Sequence, residues 1–257
     1  MGCACAHDSK LSRDALGEEE VANYESGLIF ASLPATKTAT EVLVFSHAFW
    51  MNGKQIRDLL KALGTDGRFL DEENTPKHHF FELFRDRKKY NARKITLLGV
   101  MLGSGSAARK AEILFGLYRT DEEQCDLTAA QVFQLSQDAC EVALLALPQY
   151  AALELEQSDD DSGLAKLTRY VEKLTASLPA TVERLADALL QKSDNVSEVH
   201  LKARIAGSEA KALCSAAELR LLSLSNVQQT KPRTSDSAHR PRLSSSSGTS
   251  EKTPPWK

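Results

Sequence analysis

The sequence predicts an all-α protein, and three observations lead to that class. Apolar residues recur at helical spacing in one segment after another, as along 106–118 and 128–147. Strand signals, meaning alternating runs of β-branched and aromatic residues, are sparse throughout the chain. Gly and Pro interrupt the periodic segments at short intervals. We therefore expect on the order of ten helices in two groups, residues 17–150 and 164–225.

Composition limits the functions that are open to the chain. Of its 257 residues 42% are hydrophobic, which suffices for a core, but no apolar run reaches the ~18 residues that span a bilayer. A net charge of −3 argues against nucleic acid as a general partner. The five cysteines form no CxxC pair, and no His stands at zinc-finger spacing from them. A reducing, cytosolic compartment is the simpler interpretation.

The first helical group begins after a short lead. Residues 1–16 are interpreted as flexible, and 17–24 as a short helix whose glutamates favour its N-terminal end. Residues 40–63 fit two short amphipathic helices that meet at Asn52 and Gly53.

The middle of the chain continues the helical pattern. Pro76 suits an early helical position, and the helix after it carries several phenylalanines and a charged end, RDRKK. An apolar run over 94–102 leads to a Gly-Ser-Gly turn and then to the strongly helical segment 106–118. The next helix, 128–147, is expected to end at Pro148.

Two segments differ from the helical groups in composition. Residues 156–163 (EQSDDDSG) are interpreted as an acidic linker. Residues 226–257 are rich in Ser and Pro and are predicted to be disordered. Six basic and two acidic side chains give this tail a charge of +4, which leaves −7 on the rest. The tail is either inert or a second contact to anionic lipid.

The N-terminus matches a lipidation pattern. Removal of Met1 exposes Gly2, the residue type that accepts a myristoyl group, although Ala6 replaces the usual Ser or Thr. Cys3 and Cys5 lie beside it and are candidates for S-palmitoylation. Since one myristoyl chain binds bilayers only marginally, a second acyl chain would make the anchor stable. The pattern predicts a protein on the cytoplasmic face of a membrane.

Residues 97–147 have a helix, a polar loop and a second helix. The apolar LLGVML and the helix ARKAEILFGLY precede the loop RTDEEQCDLT, and AAQVFQLSQ follows it. This layout resembles an EF-hand, and more closely the paired EF-hands of calcineurin B-like and neuronal calcium sensor proteins. The resemblance covers roughly 40–150, with a weaker echo at 180–224, and it implies paired helix-loop-helix units with an acylated N-terminus.

The loop lacks several ligands that calcium requires in an EF-hand. With Leu127 at position eight, Thr120 stands at position one, Cys125 replaces the glycine of position six, and Gln131 replaces the bidentate Glu of position twelve. We expect the fold to survive while calcium binding is lost. If calcium is nonetheless the cofactor, the candidate ligands are the loop carboxylates Asp121, Glu122, Glu123 and Asp126.

Aromatic residues are the candidates for a partner-binding groove. EF-hand pairs commonly hold a partner helix in an apolar groove, although aromatic residues at this spacing are also typical of a core. The candidate residues are Phe80, Phe81, Phe84, Phe115 and Tyr118.

Catalytic motifs are missing from the sequence. It has no P-loop and no GxSxG elbow, and the Gly-Ser-Gly turn lacks the third glycine of a dinucleotide loop. The leading hypothesis is therefore a membrane-anchored, non-enzymatic adaptor of degenerate EF-hand type that binds a protein partner. One alternative is a genuine calcium sensor with a non-standard loop. Another is a soluble helical scaffold unrelated to EF-hands, in which the loops 119–127 and 192–198 would not pair.

Overall fold

Short polar side chains begin many of the helices, because each accepts hydrogen bonds from backbone N–H groups that the first turn leaves unpaired. Asn52, Thr75 and Asn91 do so ahead of three helices. Ser106 and Thr128 do so ahead of two more. The helix boundaries thus follow from local sequence, and the apolar faces then decide how the helices pack.

The computed structural model describes residues 5–229 except positions 122, 159 and 208, and within that part it contains eleven α-helices. These are α1 (Cys5–Ser26), α2 (Ala35–Phe45), α3 (Gly53–Leu63), α4 (Pro76–Glu82), α5 (Ala92–Leu102), α6 (Ala107–Tyr118), α7 (Ala129–Cys140), α8 (Leu147–Gln157), α9 (Asp161–Leu190), α10 (Glu198–Gly207) and α11 (Ala216–Gln229). The strands are β1 (Trp50–Met51), β2 (Arg85–Asp86), β3 (Lys89–Asn91), β4 (Asp126–Thr128) and β5 (Asn195–Ser197). A π-helical turn (Glu141–Ala146) joins α7 to α8. The prediction of an all-α protein is confirmed.

The short strands pair in two antiparallel sets. In the first, β3 lies between β1 and β2, with Met51 opposite Tyr90. In the second, β4 pairs with β5, with Leu127 opposite Val196. The second pairing joins the two segments whose loops the alternative scaffold would leave unpaired.

Several helix boundaries differ from the sequence-based expectations. α1 begins at Cys5, inside the expected flexible lead; the chain there has no proline, and Lys173 of α9 pairs with Asp14. The expected helix end RDRKK is instead the hairpin of β2 and β3, which turns at Arg87 with a φ of 56°. The helix after β5 is α10, not the expected segment 208–224. The expected linker 156–163 is short, because α8 and α9 together occupy most of it.

Both predicted helical groups share one hydrophobic core. A single cluster of buried side chains includes Leu60 and Leu98 from the first group and Leu174 and Leu219 from the second. Lys110 of α6, in the first group, also connects to the second group, because its buried ammonium donates to the carbonyl of Cys214 at 2.8 Å. The division at 156–163 is therefore not a boundary between separate cores.

Arg220 lies at the centre of a buried ion cluster that joins α11 to α1. Its guanidinium is fully buried and donates to the carboxylate of Glu18 at 2.7 and 2.8 Å and to that of Glu25 at 2.6 and 3.1 Å. Tyr170 of α9 donates a further hydrogen bond to Glu18 at 2.5 Å. Forked, charge-assisted hydrogen bonds of this kind are stronger than neutral ones. We call these four residues the Arg220 cluster.

Burial affects the two donors of the cluster differently. Burial alone would lower the pKa of Arg220, but hydrogen bonds to Glu18 and the charge of Glu25 outweigh it and raise that pKa. Burial, followed by the charge of Glu18, raises the pKa of Tyr170. Arg220 therefore remains a cation and Tyr170 remains a donor across the physiological pH range.

Pro148 does not end the preceding helix, although the sequence predicts an end there. In the π-helical turn the N–H of Leu147 donates to the carbonyl of Val142, five residues earlier. The next carbonyl in that register, of Ala143, would pair with Pro148, which has no N–H. That carbonyl accepts a hydrogen bond from Arg220 at 3.4 Å instead. The turn thus accommodates the proline and connects it to the Arg220 cluster.

Gly17 allows α1 to approach α9 closely. A Cβ at this position would lie 2.6 Å from the ring of Tyr170, which is closer than side-chain atoms can approach. A side chain here would therefore push α1 away from the cluster that holds it.

We expect Arg220→Met to lower the free energy of unfolding by about 3–5 kcal/mol, because two carboxylates lose their buried cation. Urea denaturation measures the change. The control is Arg57→Met, which breaks an ion pair to Asp71 whose side chains are 42% and 64% exposed, and should cost less than about 1 kcal/mol. Similar losses for both variants would contradict the central role of Arg220.

Candidate functional site

The short strands divide much of the chain into four helix-strand-helix units. Unit 1 is α2, β1 and α3; unit 2 is α4, β3 and α5; unit 3 is α6, β4 and α7; unit 4 is α9, β5 and α10. Strand pairing joins unit 1 to unit 2 and unit 3 to unit 4. In each pair the first helix of one unit packs on the last helix of the other: α2 on α5, and α6 on α10.

One residue pattern recurs in all four units. A buried apolar residue sits in the strand, and the next residue places a polar side chain at the start of the following helix. The apolar residues are Met51, Tyr90, Leu127 and Val196, and the polar residues that follow them are Asn52, Asn91, Thr128 and Ser197. In a calcium-binding EF-hand the residue four positions after the strand residue is the bidentate glutamate. Here those positions hold Gln55, Lys94, Gln131 and His200, so none supplies a carboxylate.

The loop of unit 3 fits the 12-residue pattern of an EF-hand. The side-chain amides of two glutamines make hydrogen bonds within it. Gln124 accepts hydrogen bonds from the backbone N–H and the hydroxyl of Thr120, at 2.7 and 2.9 Å. Its own amide nitrogen donates to the carbonyl of Asp126 at 2.6 Å and to the Gln131 amide oxygen at 2.7 Å. The Asp126 carbonyl stands at position seven, where a bound calcium would take a backbone oxygen. An amide N–H thus meets an oxygen that a cation would otherwise bind.

Gln131 connects the two helices of unit 3. Its amide nitrogen donates to the carbonyl of Tyr118, the last residue of α6, at 2.8 Å. Its amide oxygen accepts from the backbone N–H of Thr128 at 2.8 Å, which completes a capping box at the start of α7. The end of one helix is therefore bridged to the start of the next through one neutral side chain. We call Gln124 and Gln131 the amide bridge.

Unit 4 has a comparable bridge. Arg204 of α10 donates to the carbonyl of Leu189, in the last turn of α9. The loop between that helix and β5 comprises only residues 191–194, and the loop of unit 1 only residues 46–49. Neither is long enough for the 12-residue cage of an EF-hand.

Unit 2 contacts unit 3 through a partly buried polar network. Lys94 lies 4.0 Å from the carboxylate of Asp138 in α7, and Arg93 donates to the carbonyl of Leu117 in α6 at 3.2 Å. The hydroxyl of Tyr118 donates to the carboxylate of Asp138 at 2.7 Å. Burial, followed by the negative charge of Asp138, raises the pKa of Tyr118. Tyr118 therefore stays protonated and serves as a structural donor.

The three candidate calcium ligands that the structure describes form no cluster. Asp121, Glu123 and Asp126 are exposed, and Glu122 lies outside the described residues. Within the described part of the chain no three His, Cys, Asp or Glu side chains are placed to hold a metal ion. Position six of the loop also lacks the left-handed backbone that glycine supplies in an EF-hand, since Cys125 has no positive φ.

The candidate groove residues are buried in the core. The side chains of Phe80, Phe81, Phe84, Phe115 and Tyr118 are at most 3% exposed. The Phe80 ring contacts the ring of Tyr150 with centroids 4.8 Å apart, and the Phe84 ring at 5.1 Å. The spacing of Phe80 and Phe81 reflects the packing of α4 on α8, and Tyr118 of α6 is hydrogen-bonded to Asp138 of α7. A partner-binding surface must therefore be sought elsewhere.

The lipidation candidates lie at the edge of the described residues. Gly2 and Cys3 are outside them, and of Cys5 only the backbone is described, as the first residue of α1. Among the described helices, none combines the length and the apolar character needed to cross a bilayer.

Comparisons with known proteins return no relative. No protein-family model matches the chain, and no curated protein or solved structure is significantly similar to it. A function must therefore be inferred from the residues and their geometry.

We expect Gln131→Ala to lower the free energy of unfolding by about 2–3 kcal/mol, because the carbonyl of Tyr118 and the Gln124 amide lose their partner along with the cap. Thermal and urea denaturation measure the loss. Gln55→Ala is the matched control: Gln55 also completes a capping box, to Asn52, but bridges no helices. It should cost only about 0.5–1 kcal/mol. Equal losses would contradict the bridging role of Gln131.

Proposed function

We propose that this protein is a membrane-anchored, non-enzymatic adaptor of degenerate EF-hand type that binds a protein partner without calcium. The amide bridge is the observation that carries the proposal. It sits in a unit that has EF-hand order, strand pairing and loop length, but it satisfies the loop with neutral donors.

The arrangement of units supports the EF-hand part of the proposal. Four helix-strand-helix units occur in succession, and they pair through antiparallel strands whose apolar residues face each other, as Met51 faces Tyr90. Paired loops joined by a short antiparallel bridge are what the resemblance implies. An unrelated helical scaffold has no reason to repeat the strand residue, the helix cap and the pairing register together.

The chemistry of the loops supports the calcium-free part. Calcium prefers six to eight oxygen ligands, and the closing carboxylate contributes two of them. Glutamine at that position offers a neutral oxygen, and in unit 3 that oxygen already accepts from Thr128. The donors of Gln124 and Gln131 occupy carbonyls that an ion would need. Binding calcium would require these hydrogen bonds to break first.

Exposed apolar side chains support the adaptor part. Leu43 and Val44 on α2 are 63% and 70% exposed, and Val199 on α10 is 74% exposed. Large apolar side chains at the surface contribute to protein interaction sites when they lie together. Leu43 and Val44 are adjacent in sequence and lie on α2, the helix that packs on α5.

Calcium titration by calorimetry, with magnesium present, tests the calcium-free function. We expect no binding heat up to millimolar calcium and no shift in thermal stability, because the loop lacks its closing carboxylate. The matched variant is Asp121→Asn with Glu123→Gln, which removes loop carboxylates. Saturable micromolar binding that this variant abolishes would instead establish the calcium sensor.

Cell fractionation tests the anchor. We expect Gly2→Ala to move the protein from membranes to the soluble fraction, because myristoylation requires that glycine. Cys3→Ser with Cys5→Ser should release it partly, because one acyl chain alone binds marginally. Cys125→Ser is the control and should leave the distribution unchanged. Membrane retention of the Gly2→Ala variant would contradict the lipid anchor.

A further inference from the structure

An open groove runs between α2 and α6. It has a volume of about 420 Å³ and is lined on the α2 side by Ala39 and Leu43 and on the α6 side by Ile113 and Leu117. Thr96 of α5 also contributes to the lining. Leu43 is 63% exposed, although it sits on the groove wall where it could be covered. The groove therefore leaves apolar surface in water that a binding partner would remove.

Gly116 lies in the groove at an exposed position inside α6. Glycine in a helix interior costs about 1 kcal/mol relative to alanine. Apart from its chain neighbours and the backbone of α6 itself, no described atom lies within 4 Å of the place where a Cβ would be, so packing against other elements does not require a glycine here. Glycine does allow another backbone to approach a helix closely. Gly116 thus lowers the stability of the helix and leaves open space beside α6.

Arginines stand at both ends of the groove. Arg109 and Arg119 both line it and are ten residues apart, which corresponds to about 15 Å along a helix. Glu112 lies between them, but it is already paired with Arg109 and with Lys202 of α10. Among the described residues, the guanidinium of Arg119 makes no hydrogen bond or ion pair.

The charge of the groove contrasts with that of the rest of the chain. Residues 1–225 carry a net charge of −7, whereas the groove lining has two arginines and one paired glutamate. A ligand with carboxylates at its ends is attracted here and repelled over most of the remaining surface. The basic segment 226–257, with a charge of +4, is not complementary to the groove.

We propose that this groove binds an amphipathic helix of a partner protein, about three turns long, with apolar side chains at its centre and carboxylates near both ends. Its apolar face contacts Leu43, Ile113 and Leu117, its backbone crosses Gly116, and its carboxylates meet the arginines. Helix-in-groove recognition uses apolar anchors spaced three and four residues apart in this way. The proposal gives the adaptor its binding surface, and in that sense it rests on the proposed function.

A labelled peptide tests the groove on the full-length, non-acylated chain. The probe is a fluorescein-labelled amphipathic helix of about four turns, with leucines at three- and four-residue spacing and glutamates in its first and last turns. Fluorescence anisotropy should show saturable binding in EDTA. The same peptide with lysines in place of the glutamates should bind at least about tenfold more weakly, because it meets Arg109 and Arg119 with like charge.

Gly116→Leu blocks the groove without destabilising the fold, because the position is open and leucine has a higher helix propensity than glycine. We expect it to weaken binding at least about tenfold while the melting temperature is unchanged or higher. Gly207→Leu is the matched control, because Gly207 is equally open but ends α10, away from the groove lining. Arg119→Glu should reverse the preference between the two peptides.

Several outcomes would overturn the groove. Absence of binding by the acidic peptide, or equal weakening by Gly116→Leu and Gly207→Leu, would do so. Self-association of the protein that Gly116→Leu abolishes would show that a second copy occupies the groove, and would also overturn the proposal. Peptide binding that requires calcium would contradict the calcium-free function, yet it would leave the groove assignment supported.

Discussion

The buried cation Arg220 holds the fold together at its most connected point. Its guanidinium satisfies two carboxylates of α1 and the backbone carbonyl that the π-helical turn leaves free. Through Glu18 it also reaches Tyr170, and so α9. A charge that is fully buried is tolerated only with such complete pairing. The first helix, the last helix and the proline-containing centre therefore depend on one side chain.

In units 3 and 4, hydrogen-bond donors join the end of one helix to the start of the next. In an EF-hand a bound ion makes that connection. A calcium ion joins the end of one helix to the start of the next by binding oxygens from both. In unit 3 Gln131 makes that connection from a capping position, and in unit 4 Arg204 makes it from within α10. Once a side chain joins the helices, the loop needs no ligand spacing. The four-residue loop of unit 4 is consistent with that freedom.

Local sequence predicted those parts of the fold that local forces decide. The periodicity of 106–118 predicted α6, and the polar loop after it predicted the start of α7, because caps and apolar faces are short-range features. Pro148 was misjudged because the π-helical turn that accommodates it depends on distant Arg220. The strands of units 1 and 2 were not predicted, although Asn52 and Gln55 repeat the capping box of Thr128 and Gln131. That repeat is visible in the sequence once its spacing from the strand residue is known.

The candidate site shows the same division. The missing closing carboxylate at Gln131 could be read from the sequence, but the amide bridge could not, because its partners depend on how the loop closes. The aromatic residues at 80, 81 and 84 have spacing that suits a groove or a core equally, and only the packing of α8 decides for the core. No sequence pattern indicated a role for Gly116, because that role depends on the open space beside α6.

The Arg220 cluster also sets an order of events during synthesis. Glu18 leaves the ribosome 202 residues ahead of Arg220, which at ordinary rates of translation is roughly 10–40 s. Throughout that interval its carboxylate has no buried cation to join and stays hydrated. The helix that the ribosome makes first is therefore among the last to reach its native position, and the nascent chain completes its fold only when α11 emerges.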